Sequence, residues 1–192
     1  MPGQTIARAQ WRALDREGED NCRLARVESG WLLIGHARFR DGDGFAALDY
    51  VVRCDEKWQT LSADIAGTHN DRDIQLVMEC INGRWVLNGQ DQPQAKGAVD
   101  VDLAFTPATN LMPLRRLRQG PQVTIETRAA WLTYPECRLR PLDQTYANGS
   151  SSEIVSYTAR QSGYSTQLCV DRSGFITLYP GLWEGEVRHA SP

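Results

Sequence analysis

Two carboxylates and two guanidinium groups occur close together between residues 99 and 117, in the stretch VDVDLAFTPATNLMPLRRL. Asp100 and Asp102 are separated by one residue, and Arg115 and Arg116 are adjacent. A carboxylate accepts paired hydrogen bonds from sugar hydroxyls, whereas an arginine held beside a carboxylate forms a structural ion pair. The residue types therefore indicate either a polar binding site or a set of ion pairs, and the sequence leaves both open.

Further acids alternate with apolar residues in other short runs. Asp49 in ALDYVV and Asp64 in LSADIAG project away from their apolar neighbours if these runs are strands. Aromatic side chains are spread over many of the same runs, and an aromatic ring covers the apolar face of a pyranose. This combination predicts a carbohydrate-type pocket on the concave side of a sheet. Its predicted ligand-binding residues are Asp100, Asp102, Asp49, Asp64, Arg115, Arg116, Tyr146 and Trp131.

The sequence lacks the motifs of metal, phosphate and nucleophile chemistry. The three histidines have no ligand spacing and the five cysteines form no C-x-x-C pair. The DGDG stretch at 41–44 lacks the glutamate that closes a calcium loop, so we expect a hairpin turn there. Glycine-rich phosphate loops and the G-x-S-x-G motif are also missing. We therefore predict no catalytic residue, no metal and no cofactor.

The charge and hydropathy patterns exclude several classes of partner. The 21 basic and 24 acidic residues give a net charge of -3 and are mixed along the chain, so we do not expect a nucleic acid partner. No run approaches the roughly 20 apolar residues of a transmembrane helix, and the N-terminal stretch lacks the pattern of a secretion signal. Five widely spaced cysteines fit a reducing compartment. We expect a cytoplasmic protein that forms a single domain over 1–192.

Alternation of polar and apolar residues over short runs predicts that strands dominate the fold. Clusters of Gly, Asn and Asp separate the runs, and Asn82-Gly83 is typical of a two-residue hairpin turn. Neighbouring strands are therefore expected to pair antiparallel. The runs predicted as strands are NCRLARVES, GWLLIGHARFR, GFAALDYVVRC, WQTLSADIAG, RDIQLVMECI, GRWVLNG, AVDVDLAF, QVTIETRAAWLTYP, EIVSYTAR, YSTQLCVDR and FITLYP.

One segment, TNLMPLRRLRQG, has the pattern of a short helix. Leu111, Leu114 and Leu117 recur at three-residue spacing, and Thr109 or Asn110 is placed to cap the first turn. A single helix cannot form its own core, and a sheet of many strands tends to curl over what it covers. We therefore predict a mainly β fold in which a large, strongly curved antiparallel sheet wraps around a single α-helix. A homodimer would cover the sheet edges.

Three ordered blocks carry a family resemblance: DVDLAFTPATNLMPLRRL, AAWLTYPECRLRPLDQTY and YSTQLCVDRSGFITLYPGLW. With these blocks, the chain resembles the putative glycolipid-binding family of uncharacterised bacterial proteins from the segment near Trp11 to Trp183. The resemblance implies a many-stranded sheet around one helix, remotely like the lipoprotein localisation factors. It also implies an acidic pocket, a dimer and a role in glycolipid metabolism.

Three functions stay open from the sequence. The first is non-catalytic binding of a glycolipid or related amphiphile through the acidic pocket. The second is a hydrolase or other enzyme acting on a sugar-containing lipid, because two carboxylates about 5 to 9.5 Å apart perform glycoside chemistry. The third is a dimeric scaffold in which the charges form structural ion pairs only. If one Arg–Asp pair anchors the helix to the sheet, the other carboxylate is left for a ligand.

Overall fold

The computed structural model describes residues 3–42 and 44–190. One sheet of fifteen strands holds most of these residues, and a single α-helix, α1 (Leu111–Gln119), follows a 3-10 turn at Ala108–Asn110. The predicted mainly β fold with one helix is confirmed. The strands are β1 (Gln4–Ala13), β2 (Gly18–Val27), β3 (Gly30–Asp41), β4 (Gly44–Cys54), β5 (Thr60–His69), β6 (Arg72–Ile81), β7 (Arg84–Leu87), β8 (Gln90–Asp91), β9 (Asp100–Leu103), β10 (Thr124–Leu132), β11 (Leu139–Asn148), β12 (Ile154–Ala159), β13 (Tyr164–Val170), β14 (Ile176–Tyr179) and β15 (Trp183–His189).

Chain neighbours pair as antiparallel hairpins along most of the sheet, whose order is β8-β7-β6-β5-β4-β3-β2-β1-β15-β14-β13-β12-β11-β10-β9. Two pairings depart from the hairpin pattern: β1 pairs with β15, and β9 runs parallel to β10. Asn82 and Gly83 have φ of 53° and 76°, the left-handed values of a two-residue hairpin turn, and join β6 to β7 as predicted. The predicted turn at 41–44 includes Asp43, which lies outside the described residues.

The sequence patterns missed four strands: β1, β8, β11 and β15. In β1 the inward positions are mostly alanines, and alanine is depleted in strands, so the alternation gives a weak signal. In β11 the ring of Pro141 removes a backbone donor, which argues against a strand interior. Gly185 interrupts β15, and β8 has only two residues. Partners on both sides hold β1, β11 and β15 in the sheet despite these local signals.

The helix α1 presents its apolar face to the sheet. Leu111, Leu114 and Leu117, whose spacing predicted the helix, are all at most 1% exposed, and α1 contacts β10 and β11. The predicted cap was wrong, since no side chain caps the first turn. The Thr109 hydroxyl instead accepts a hydrogen bond from the Leu103 amide at 3.2 Å, and the Asn110 amide donates to the Tyr146 hydroxyl at 2.7 Å. Both side chains are buried and serve tertiary contacts.

Strands that are far apart in the sheet order touch each other. The Thr60 amide at the start of β5 donates to the Val99 carbonyl at 3.0 Å, and the Val101 amide in β9 donates to the Thr60 hydroxyl at 3.1 Å. This contact supports the predicted curvature, whose extent stays a prediction. Within 3–42 and 44–190, no helix has the length and apolar character needed to cross a membrane.

Candidate functional site

Asp102 lies beside Trp131 because β9 and β10 run parallel and these two residues are in register. Both line a cavity of about 280 Å³. Residues in register on adjacent strands project to the same face, so the backbone pairing places a carboxylate next to an indole ring. The structure thus brings together two of the predicted ligand-binding residues. Other polar and aromatic residues lining the cavity are Thr106, Asn110, Tyr157, Ser162, Tyr164, Tyr179 and Trp183.

Asp102 is held by an amide and not by a cation. The side-chain amide of Gln144 donates to Asp102 Oδ2 at 2.8 Å, and its nitrogen also lies 3.0 Å from the Tyr157 hydroxyl. Among the described residues, no arginine, lysine or histidine forms an ion pair with Asp102. Burial raises the pKa of Asp102 to about 6; the hydrogen bond from Gln144 lowers it, and the negative charge of Asp100 raises it. This carboxyl therefore changes its charge just below neutral pH.

Three tyrosine rings form an aromatic cluster at the cavity. The ring centroids of Tyr157 and Tyr179 are 5.8 Å apart, and those of Tyr164 and Tyr179 are 5.7 Å apart. Burial raises the pKa of Tyr157 well above its ordinary value, so its hydroxyl keeps a proton at neutral pH. Because this hydroxyl accepts from Gln144, its proton can be donated elsewhere. The cavity thus offers an acceptor, a donor and aromatic faces, which are the groups that sugars bind.

Asp100, two residues before Asp102, is neutralised by the helix. Arg116 donates to both carboxylate oxygens of Asp100, at 2.7 and 2.5 Å, and the Thr127 hydroxyl adds a third hydrogen bond at 2.9 Å. Asp100 is 1% exposed, and Arg116 also donates to the Trp58 carbonyl at 2.8 Å. The predicted pair between helix and sheet is therefore present. Asp100 and Arg116 thus form a structural ion pair, whereas Asp102 has no cationic partner among the described residues.

Arg115 and Tyr146 are not part of the lining of this cavity. The Arg115 guanidinium sits 4.7 Å from the ring centroid of Trp58 in a cation–π contact. Tyr146 is 0% exposed and reaches the cavity only through neighbours, since its hydroxyl accepts from Asn110 and its ring centroid is 4.9 Å from that of Tyr157. Of these two predicted site residues, Tyr146 supports the cavity wall and Arg115 is held against the Trp58 ring.

Asp49 and Asp64 lie away from the cavity, on the face of the sheet opposite the core. The Asp49 carboxylate is 72% exposed and pairs with His36, and the Asp64 carboxylate is 42% exposed and pairs with Arg53. Alternation in β4 and β5 sends these acids outward while their neighbours pack inward. The structure does not bring them together with Asp102.

The sequence reasoning did not select Asn110, Gln144 or Asp20. The predicted strand NCRLARVES began one residue too late to place Asp20 on the inward face of β2, where it alternates with buried Cys22. Asp20 is 0% exposed, and its Oδ2 accepts from the hydroxyls of Tyr50 and Thr106, the latter in the cavity wall. Within the part of the chain that the structure describes, its Oδ1 has no hydrogen-bond partner, and burial raises the pKa of Asp20 to about 6. A predicted strand that included Asp20 would have placed this acid on the inward face of the sheet.

Comparisons with known proteins agree with the resemblance seen in the sequence. The model of the family described as "Putative glycolipid-binding" matches residues 8–185. The chain belongs to this family. The matched range includes both the strand that carries Asp102 and the helix that carries Arg116, so the site described above lies inside it.

Two solved structures are similar to this chain over most of its length. A DUF1089 family protein from Pseudomonas aeruginosa is 25% identical, with a TM-score of 0.74 over 87% of this chain and 91% of that one. A beta-barrel-like protein of domain of unknown function DUF1849 from Brucella abortus is 11% identical, with a TM-score of 0.60 over 97% of both chains. The second likeness concerns the fold alone. None of the curated proteins compared is significantly similar in sequence.

Proposed function

We propose that this protein binds a glycolipid or related amphiphile without transforming it, and that the sugar occupies the cavity beside Asp102. One observation carries the proposal: Asp102 is a carboxylate without a cationic partner, placed in register with the indole ring of Trp131. A carboxylate accepts hydrogen bonds from neighbouring hydroxyls, and an aromatic ring covers the C–H face of a pyranose. Membership of a family described as glycolipid-binding supports the same ligand class.

The size of the cavity favours one sugar ring over a whole glycolipid. Its volume of about 280 Å³ lies just below the roughly 300 to 1,000 Å³ typical of ligand pockets. The lining also includes the apolar side chains of Leu103, Leu142 and Leu182. We infer that the head-group sugar enters the cavity and that the acyl chains stay outside it, against other apolar surface.

The alternative of a hydrolase with paired carboxylates receives less support. Such an enzyme needs two carboxyl groups free to act as acid and as base or nucleophile. Asp100 is bound at both oxygens by Arg116, so Asp102 lacks a second free carboxylate on the same strand. The scaffold alternative describes Asp100 and Arg116 well, but it leaves the uncompensated charge of Asp102 without a role.

The proposal is tested by lipid capture with matched variants. Native mass spectrometry of protein purified from its own host should detect a bound sugar-containing lipid. Asp102→Asn should remove that lipid, whereas Asp64→Asn, which changes an acid on the outward face, should retain it. Lipid-free wild-type protein that gains no thermal stability from a glycolipid extract would defeat the proposal. Equal loss of lipid in both variants would place the ligand elsewhere.

We also propose a cytoplasmic location, a homodimer and a role in bacterial glycolipid metabolism. The homodimer would cover the exposed sheet edge at β8. Sedimentation of the purified protein tests the dimer directly, and fractionation of its host tests the location.

A further inference from the structure

Three arginines stand side by side on the outward face of the sheet. Arg8 in the central strand β1 is in register with Arg23 on β2 and with Arg188 on β15. Side chains directly opposite each other on adjacent strands have Cβ atoms about 4.5 to 5.5 Å apart, and like charges at that distance are destabilising. The fold therefore holds three guanidinium groups together at a cost in stability. We call Arg8, Arg23 and Arg188 the arginine row.

A second row on the same strands has the opposite arrangement. Arg12, four residues further along β1, is in register with Glu19 on β2 and Glu184 on β15, and it forms an ion pair with Glu184. The same face of the same three strands thus neutralises one arginine with two acids and surrounds another with two bases. The contrast shows that the backbone geometry does not prevent charge pairing at this surface.

The arginine row has no carboxylate partner among the described residues. Within the described residues, Arg23 donates a hydrogen bond to the Thr5 hydroxyl at 3.3 Å. Glu186 borders the same surface, two residues before Arg188, but it forms no ion pair with any of the three within 3–42 and 44–190. The positive charges therefore have unused donors.

The same three side chains line a cavity of about 210 Å³, together with Glu186 and the polar side chains of Gln10 and Asn21. An arginine offers planar, paired N–H donors that match the oxygens of phosphate. We propose that the arginine row binds a phosphate-type oxyanion, a phosphomonoester or phosphodiester group. This site lies on the face of the sheet opposite the Asp102 cavity, so it is separate from the proposed sugar site. Such a group belongs either to an anionic lipid head group or to a soluble phosphorylated compound.

The test compares Arg8→Gln with the matched control Arg12→Gln. At constant ionic strength, inorganic phosphate in place of chloride should raise the melting temperature of the wild type and of Arg12→Gln. In Arg8→Gln the apparent phosphate affinity should fall roughly tenfold or more, because charge-assisted hydrogen bonds are lost. Without phosphate, Arg8→Gln should fold at least as stably as the wild type, since a like-charge contact is relieved. Arg188→Gln is the second variant and should behave as Arg8→Gln does.

Vesicles distinguish the two sources of the phosphate group. Wild-type protein that cosediments with phosphatidylglycerol vesicles but not with phosphatidylcholine vesicles, in a manner dependent on Arg8, takes the group from a lipid. Phosphate stabilisation without cosedimentation assigns it to a soluble compound. The proposal is overturned if Arg8→Gln and Arg12→Gln respond to phosphate equally, or if phosphate and phosphatidylglycerol both have no effect on the wild type.

Discussion

Arg116 on the helix α1 binds both carboxylate oxygens of Asp100 on strand β9, and this pair fixes the helix to the sheet. The contact is largely shielded from solvent, since 2% of the Asp100 side chain and 21% of the Arg116 side chain are exposed. It decides the role of two neighbouring acids, because it neutralises Asp100 and leaves Asp102 to the cavity. The two acids on this strand therefore have different roles: Asp100 is structural, and Asp102 is the candidate ligand-binding residue.

Removal of one partner of this pair should be costly. Asp100→Asn leaves a largely buried guanidinium without its counter-charge, so we expect a loss of about 3 kcal/mol in the free energy of unfolding. Urea denaturation measures this. Asp64→Asn removes the acid of an exposed pair and should cost less than about 1 kcal/mol. Equal effects of the two substitutions would mean that the Asp100 pair does not anchor the helix.

Asp102 should make stability fall as pH rises. Its pKa is raised to about 6 from 3.8, so the folded protein holds this proton more tightly than the unfolded chain. The stability that this proton contributes is fully present below about pH 4 and is lost as pH rises through about 6, a change of roughly 3 kcal/mol. The wild type should therefore lose stability relative to Asp102→Asn across this window.

Denaturation of both variants at pH 4 and pH 7 measures the difference. Asp20, whose pKa is also raised to about 6, is present in both proteins, so its contribution cancels. A difference that does not vary with pH, or that grows in favour of the wild type as pH rises, would contradict the assignment.

The hydrogen bond from Gln144 should control the charge of Asp102. Because this bond favours the ionised form, Gln144→Met should raise the pKa of Asp102 further. Carbon-13 NMR titration of the side-chain carboxyl measures the change directly. Gln161→Met, which removes an amide bound to Asp143, should leave Asp102 unaffected. An unchanged Asp102 titration in Gln144→Met would show that the amide does not hold the carboxylate in solution.

Sequence patterns predicted the sheet and the helix because both rest on local periodicity. The spacing of Leu111, Leu114 and Leu117 belongs to a helix with one buried face, and the structure buries all three. The strand β1 was missed because its inward residues are mostly small, and it is held by β2 and β15 on its two sides. Pairing partners distant in the chain are not visible in local alternation.

Sequence patterns predicted only part of the candidate site. Alternation placed Asp100 and Asp102 on one face, but it could not indicate which one the helix would cover, because that depends on where α1 packs. Asp49 and Asp64 have the same local pattern and face outward. Gln144 carries no sequence signal for a site, since its role comes from the fold, which brings its amide within hydrogen-bond distance of Asp102 although β10 lies between their two strands.

Gly35 provides a final test of the packing that supports Asp20. Gly35 on β3 is in register with Tyr50 on β4, and a methyl group at position 35 would overlap the Tyr50 ring. The Tyr50 hydroxyl donates to Asp20 at 2.8 Å, so displacement of the ring would also leave the buried carboxyl with one donor fewer. We expect Gly35→Ala to cost about 1 to 3 kcal/mol, the range for overpacked cores. In the Tyr50→Leu background, where the ring is gone, the added cost of Gly35→Ala should nearly vanish. A double-mutant cycle by urea denaturation measures this coupling, and strictly additive effects would show that the two side chains do not compete for the same space.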